Sequence, residues 1–215
     1  MSMVMQHHPD GATLMSYAAA TLPEALSAVV AAHLSMCPAC RAAVRDLDHF
    51  GAALLSQVRR EAGPGSVSRR DRHSAEAAST DVAPAQCDRL PPALSRAYGL
   101  TLATVPWKRL GPGVWHHRLP LRQPGDGDLR LLRIAPGRAM PDHGHGGSEL
   151  TLVIEGCYGD VTGRYQRGDV QDVDEGIDHQ PIVEAGEPCI CLIASEHPAR
   201  FKSIIGRIMQ PWTGM

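Results

Sequence analysis

The run His33-Leu34-Ser35-Met36-Cys37-Pro38-Ala39-Cys40 decides how the first half of this 215-residue chain folds. On a helix, residues 33 and 37 lie one turn apart on the same face, and Cys40 follows across a proline-containing turn. An imidazole and two thiols therefore converge on one point. Such a point suits Zn²⁺, which takes four ligands in a tetrahedron. The fourth comes from elsewhere in the chain, and the adjacent His7 and His8 are the candidates. A Cys-x-x-Cys redox pair, or two buried thiols, is the plain alternative, but neither needs His33.

Working outward, Asp10 is placed to cap a helix running through Leu14, Tyr17 and Ala18 to about Thr21. Pro23, followed at once by Glu24, opens a second helix. Its apolar stripe is Leu26, Val29, Val30, His33, Leu34 and Cys37, the spacing of a buried helical face. Two of the metal ligands thus sit on the packing stripe, and the metal replaces part of a core too small to hold by itself. Pro38 starts a third helix, with Cys40, Ala43, Val44, Leu47, Phe50, Leu54 and Val58 at helical spacing. A bundle this small leaves apolar surface uncovered, and a contiguous apolar patch is an interface. Leu14, Met15, Leu22, Leu54 and Leu55 are the residues to look for there. Residues 62 to 86, rich in Gly, Ser, Ala, Pro and Arg, read as a flexible linker. A short helix from Pro91 or Pro92 follows, with Leu90, Leu94 and Tyr98 on one side and Gly99 as its C-cap.

From Thr101 the pattern changes to strands. Runs at Val114 to Leu119, Leu129 to Ile134, Leu150 to Ile154, Asp169 to Val173, His179 to Glu184 and Cys189 to Ala194 are separated by Gly, Pro and Asp turns, with no helical segment between them. Many short strands of this kind predict a small antiparallel barrel or double-sheet roll. The expected class is α+β in two domains: residues 1–98, a zinc-stapled helical bundle with its linker, and residues 99–215, an antiparallel β jelly roll.

The strand half carries a second constellation. Gly137 is followed after five residues by His143-Gly144-His145, after three more by Glu149, and after six more by Gly156. Further on, five residues separate Gly168 from Asp174, with Gly176 and His179 after it. Side chains alternate along a strand, so His143 and His145 share a face, and Glu149 joins them if a strand resumes after Gly146-Gly147. Three imidazoles and one carboxylate make a site for a first-row divalent metal with one or two positions open. A His-rich surface turn is the bland alternative, and it leaves the second segment unexplained.

Composition narrows the functions. Lys and Arg total 21 against 23 Asp and Glu, evenly spread over both halves, so there is no basic footprint for nucleic acid. No apolar run approaches the ~20 residues of a membrane span, and no basic segment leads into an apolar core at the N-terminus. The cytoplasm is the expected compartment. The six cysteines, at 37, 40, 87, 157, 189 and 191, are then metal ligands, buried thiols or redox sensors rather than a disulfide framework. Cys189 and Cys191, two apart on one predicted strand, are a candidate redox pair, with ordinary burial as the alternative. The acidic run Asp172, Asp174, Glu175 and Asp178 reads as a solvated loop.

The two strand segments resemble, at nearly every spaced position, the two motifs of the cupin superfamily. The resemblance implies a jelly-roll barrel whose metal ligands are His143, His145, Glu149 and His179. Asp174 stands where that pattern usually has Pro, and Val183 where it usually has Asn; neither is a ligand position. A cupin preceded by His8, His33, Cys37 and Cys40 is similar to something narrower, the ChrR-type zinc-binding anti-sigma factors. That resemblance covers almost the whole chain. It implies that His8 is the fourth zinc ligand, that the helical domain binds an extracytoplasmic-function sigma factor, and that the cupin senses photooxidative stress such as singlet oxygen. The cupin metal is expected to be Zn²⁺, with Mn, Fe or Ni as alternatives. A metal-dependent cupin enzyme, dioxygenase-like, is the rival reading; against it, the sequence shows no separate acid/base constellation, and small-molecule chemistry does not need the zinc module. A third reading keeps the anti-sigma domain and makes the cupin a small-ligand sensor.

Overall fold

The computed structural model describes residues 5–62, 89–123, 125–198 and 200–201. The predicted linker and Cys87 lie outside these residues, apart from Ala62 at the end of a helix.

Asp10 caps helix α1 (Gly11–Ala18), its carboxylate accepting from the Thr13 N–H at 2.6 Å. Helix α2 (Glu24–Leu34) buries Leu26, Val29, Val30 and His33, the stripe read from the sequence. Helix α3 (Pro38–Ala62) divides along its length. Cys40 and Val44 are buried, whereas Phe50, Leu54, Leu55 and Val58 are exposed although they continue the same helical spacing. Of the residues expected on an apolar patch, Leu14 is instead in the core and Leu22 is half-buried against it. Met15, Leu54 and Leu55 do face outward. Helix α4 (Pro92–Tyr98) ends on Gly99, whose φ of +63 is the left-handed C-cap that glycine adopts without strain. Leu90 and Leu94 of this segment are buried, and α4 packs on α2.

The strands are β1 (Lys108–Gly111), β2 (Val114–Arg118), β3 (Asp128–Ile134), β4 (His143–Gly144), β5 (Glu149–Glu155), β6 (Cys157–Asp160), β7 (Gly163–Gln166), β8 (Val170–Val173), β9 (Ile182–Val183), β10 (Cys189–Ser195) and β11 (Arg200–Phe201). They pair antiparallel in a six-stranded sheet of order β1-β2-β3-β10-β5-β8, a three-stranded sheet β7-β6-β9 and a pair β11-β4. Beyond the short strands β1, β4 and β11, which the sequence runs do not include, two features differ from the sequence reading. The β6–β7 hairpin, interrupted by glycines and only four residues a strand, has too little apolar run to announce itself. The run His179 to Glu184 is not one strand: His179 bridges singly to His143, and Pro181, which has no N–H to give a ladder, separates it from β9.

Alternation in the central strands explains the two apolar cores. In β10, Cys189 and Cys191 point into the space between the sheets with Leu132, Ile134, Val153 and Tyr158. Ile190, Leu192 and Ala194 point the other way, with Leu129, Leu131, Leu150 and Leu152. That outer face would be exposed on a lone barrel. Here α2 lies across it, and Leu26, Val29 and Val30 join the same cluster. Burying each such side chain stabilises by about 1.5–3 kcal/mol. The contact is edged with polar bonds, including Glu24, whose carboxylate accepts from the Arg122 N–H at 2.9 Å.

Candidate metal centres

The first centre sits where α2 meets α3. His33 occupies the last turn of α2, Cys37 the turn after it and Cys40 the first turn of α3, while His8 arrives on the segment before α1. His8 Nδ1 lies 3.4 Å from His33 Nε2, 3.6 Å from Cys37 Sγ and 3.3 Å from Cys40 Sγ, and His33 Nε2 lies 3.3 Å from Cys40 Sγ. A tetrahedral zinc, with Zn–N of about 2.0–2.1 Å and Zn–S of about 2.3 Å, needs N···N edges near ~3.4 Å and N···S edges near ~3.6 Å. These four separations, 3.3–3.6 Å, come within about 0.3 Å of those edges, and the donor set fits Zn²⁺. The adjacent His7 turns away, its ring against Tyr165 at 4.5 Å between centroids.

Protonation agrees with a metal role. Burial pushes His33 down to about 4, so its imidazole is neutral and free to ligate. Its Nδ1 lies 2.9 Å from the Gly168 carbonyl; a carbonyl can only accept, so Nδ1 carries the hydrogen and Nε2 offers its lone pair to the other three groups. Burial and the neighbouring Cys37 push Cys40 up to about 12, so a bound cation must expel its proton.

The second centre lies inside the barrel. His143 comes from β4, His145 from the following turn, Glu149 from the first position of β5 and His179 from the segment bridged to β4. One ligand atom from each falls within 4.8 Å of the others. His179 Nε2 is 3.2 Å from both His143 Nε2 and His145 Nε2. Three His and one carboxylate, all nitrogen and oxygen donors, fit a divalent first-row metal. Burial keeps the His143 imidazole below its ordinary range, and its Nδ1–H donates to the Pro141 carbonyl at 2.9 Å. Burial alone would raise Glu149, but the hydrogen bond and charge of His145, with the other imidazoles, hold it lower and ionised.

Sequence reasoning missed the partner of His179. Asp160, at the end of β6, accepts from His179 Nδ1 at 2.7 Å, giving the carboxylate–histidine pair that orients a metal-binding imidazole. Burial would raise this carboxyl. Hydrogen bonds from His179, Thr162 and Gln171 instead hold it well below the usual carboxylate range. The signal was an acid in a hairpin without any pattern of its own, since it belongs to the site only through folding.

A cavity of about 260 Å³ opens on His143, Glu149 and His179 and continues along Tyr158 and Cys191. Cys189 and Cys191 come together with 3.4 Å between sulfurs, both buried. The hydrogen bond to Cys189, then burial, push the Cys191 thiol well up. Among the described residues no helix is long and apolar enough to cross a membrane.

A helical His/Cys centre joined to an antiparallel barrel with a His₃Glu centre defines a two-domain protein, zinc finger plus cupin. Comparison agrees on both parts: a zinc-finger family model matches residues 12–41, and the ChrR cupin-like domain matches residues 96–199. Anti-sigma-E factor ChrR of Cereibacter sphaeroides is 40% identical over 98% of this chain and 99% of its own. The crystal structure of Rhodobacter sphaeroides SigE in complex with the anti-sigma ChrR superposes with a TM-score of 0.71 at 41% identity, covering 89% of this chain and 99% of that one. The chain belongs to the ChrR family of anti-sigma factors, regulators rather than enzymes.

Proposed function

We propose that this chain holds an extracytoplasmic-function sigma factor inactive through its zinc-bound helical domain and lets it go when the cupin registers oxidative stress of the singlet-oxygen type. His8, His33, Cys37 and Cys40 are the zinc ligands in this reading, and His143, His145, Glu149 and His179 hold a divalent metal in the cupin, Zn²⁺ foremost. The observation that carries the reading is α3. Its first turns are fixed by the zinc ligands, and beyond them Phe50, Leu54, Leu55 and Val58 stand exposed. An apolar stripe of that kind on a helix anchored at one end is built to be covered by a partner. The relative solved in complex with SigE supports the identity of the partner as a sigma factor.

The sensing half rests on chemistry. Imidazole and sulfur are the side chains an oxidant attacks most readily, and the barrel cavity is lined by His143, His179 and Cys191, with His145 in contact with His179 and Cys189 in contact with Cys191. Release then follows if the oxidised state binds the partner less well. Sequestration and release take place in the cytoplasm, where sigma factors work.

The test is a pull-down with the full-length, zinc-loaded chain from a lysate of the source bacterium, repeated after illumination with a singlet-oxygen sensitiser. A small sigma factor should be retained, lost on chelating the zinc and lost when Phe50 and Leu54 are both changed to Asp; illumination should release it from the wild type but cause no additional release from His143→Ala, whatever that variant retains in the dark. Failure to retain any sigma factor from a lysate shown to contain one overturns the sequestration reading. Equal release from His143→Ala overturns the sensor.

A further inference from the structure

The zinc centre has an outer shell that its own helices do not supply. The hydrogen bond from His33 Nδ1 ends on Gly168, in the turn between β7 and β8. That glycine has φ +89, a backbone conformation in which any side chain is strained, so the turn favours glycine. The next residue, Asp169, is fully buried, and its carboxylate accepts from three backbone N–H groups: Gln6 at 2.8 Å, His7 at 3.2 Å and Gln166 at 3.1 Å. Only the last belongs to the barrel. Val170 N–H then donates to the His7 carbonyl at 3.1 Å. The segment that ends in His8 is thereby pinned along the start of β8. Both histidines of the centre are aimed by one cupin turn, while the two cysteines are aimed by the helices.

The same turn is connected to the other centre. The His7 ring rests on Tyr165, whose hydroxyl is 2.9 Å from Thr162 Oγ1. Thr162 Oγ1–H donates to Asp160 at 2.6 Å, and the other oxygen of Asp160 accepts from the cupin ligand His179 at 2.7 Å. Contacts at these distances leave little slack between the two sets of ligands.

We propose that Asp169 and the Gly168 carbonyl are positioning groups of the zinc centre, and that the path Tyr165–Thr162–Asp160 makes the grip on the zinc depend on whether the cupin ligands hold a metal. This rests on reading His8, His33, Cys37 and Cys40 as zinc ligands. A barrel stripped of its metal or oxidised at its imidazoles then loosens the zinc, and the coupling acts equally in reverse. Outer partners of a metal-bound histidine typically matter by 10–100-fold in metal affinity.

The experiment uses the full-length chain with Co²⁺ in place of zinc. The thiolate-to-cobalt absorption reports the first centre alone, because the cupin set has no sulfur. Its decay is followed after adding excess chelator. Asp169→Ala should speed the decay about tenfold or more, with Asp169→Asn, which keeps an oxygen for Gln6 and His7, between it and the wild type. His143→Ala, which empties the cupin, should speed it severalfold. Unchanged decay in Asp169→Ala overturns the proposal. Faster decay there with none in His143→Ala overturns the coupling and leaves the positioning role standing. Absence of the thiolate band in wild-type protein would instead refute the zinc ligands themselves. Hydrogen exchange on folded wild type supplies a second measurement that does not rely on Asp169 variants: the amides of Gln6, His7 and Val170 should be protected, and should lose protection in Cys40→Ser. Unchanged protection there overturns the proposal as well.

Discussion

The two candidate centres solve the same problem in opposite ways. The barrel centre takes its ligands from strands and turns of one domain, and the partners of His143 and His179, the Pro141 carbonyl and Asp160, lie in that same domain. The helical centre takes two cysteines from α2–α3, a histidine from a separate segment, and the partner of its other histidine from the barrel. A barrel can preorganise a site because its ladder already fixes the backbone. A bundle of short helices cannot, so it depends on sulfur, on metal and on a neighbour. The difference predicts which centre is structural and which is open to chemistry: the sulfur set closes a tetrahedron, whereas the His₃Glu set opens on a cavity.

The largest effect should come from breaking the sulfur set. In small zinc domains the metal contributes about 10–16 kcal/mol of apparent folding free energy. Cys40→Ser should therefore unfold the α2–α3 junction and abolish partner binding, while His143→Ala, which removes a ligand from a barrel already held by its core, should lose its metal yet remain folded. Metal content and circular dichroism of the two purified variants check this. A Cys40→Ser chain that keeps its metal and its helices would remove the contrast.

Acid should come next. In metal-free protein His33 is neutral down to about pH 4, whereas in the unfolded chain it takes a proton near its ordinary 6.5. Between those values the unfolded state binds more protons, so stability falls as the pH is lowered through that window, by about 3 kcal/mol for this group. Denaturant midpoints of the chelated protein at pH 7 and pH 4 measure it. A His33→Gln variant should lose this part of the pH dependence, leaving the part that His143, His116 and His117, all lowered by burial, contribute with the same sign.

Within the barrel, Asp160→Asn should lower metal affinity about 10–100-fold, because the amide orients His179 without the charge that strengthens it as a ligand. Competition against a chelator of known affinity reads this directly. An unchanged affinity would mean that the ladder alone aims His179, and that the barrel needs no outer partner at all.

What the sequence disclosed follows the same division. His33 and Cys37 were legible because a helical turn brings i and i+4 together. It does so here through the Cys37 N–H on the His33 carbonyl, although α2 ends at Leu34, with Cys40 following in α3. Strand parity pointed to His143, His145 and Glu149, although β4 ends at Gly144 and His145 comes from the segment after it. His179 came from the spacing of a second segment. Asp160, Asp169 and the Gly168 carbonyl were not legible as partners, since each acts across contacts that only the closed barrel or the docked helices create. Nor did helical periodicity reveal that α3 changes role midway. Phe50, Leu54 and Val58 repeat as regularly as Cys40 and Val44, and periodicity reports which face is apolar, not what covers it. The outer face of β3, β5 and β10 is the converse case: apolar residues on both faces of those strands signal a second covering layer, and α2 provides it.

The smallest effect bears on whether the two regions unfold as one. Asp10 caps α1 with its carboxylate on the Thr13 N–H, and its own N–H donates to Asp172 of β8 at 3.0 Å. Asp10→Ala keeps the second bond and loses the first, costing about 1 kcal/mol; Asp10→Asn keeps an acceptor and should cost less. Because Leu14 of α1 belongs to the same apolar cluster as α2 and the central strands, a loss at this cap should lower a single thermal transition by about 2–4 °C. Two transitions, of which only the helical one moves, would show that the cluster is too weak to make helices and barrel cooperate, and that the zinc centre stands on its own domain after all.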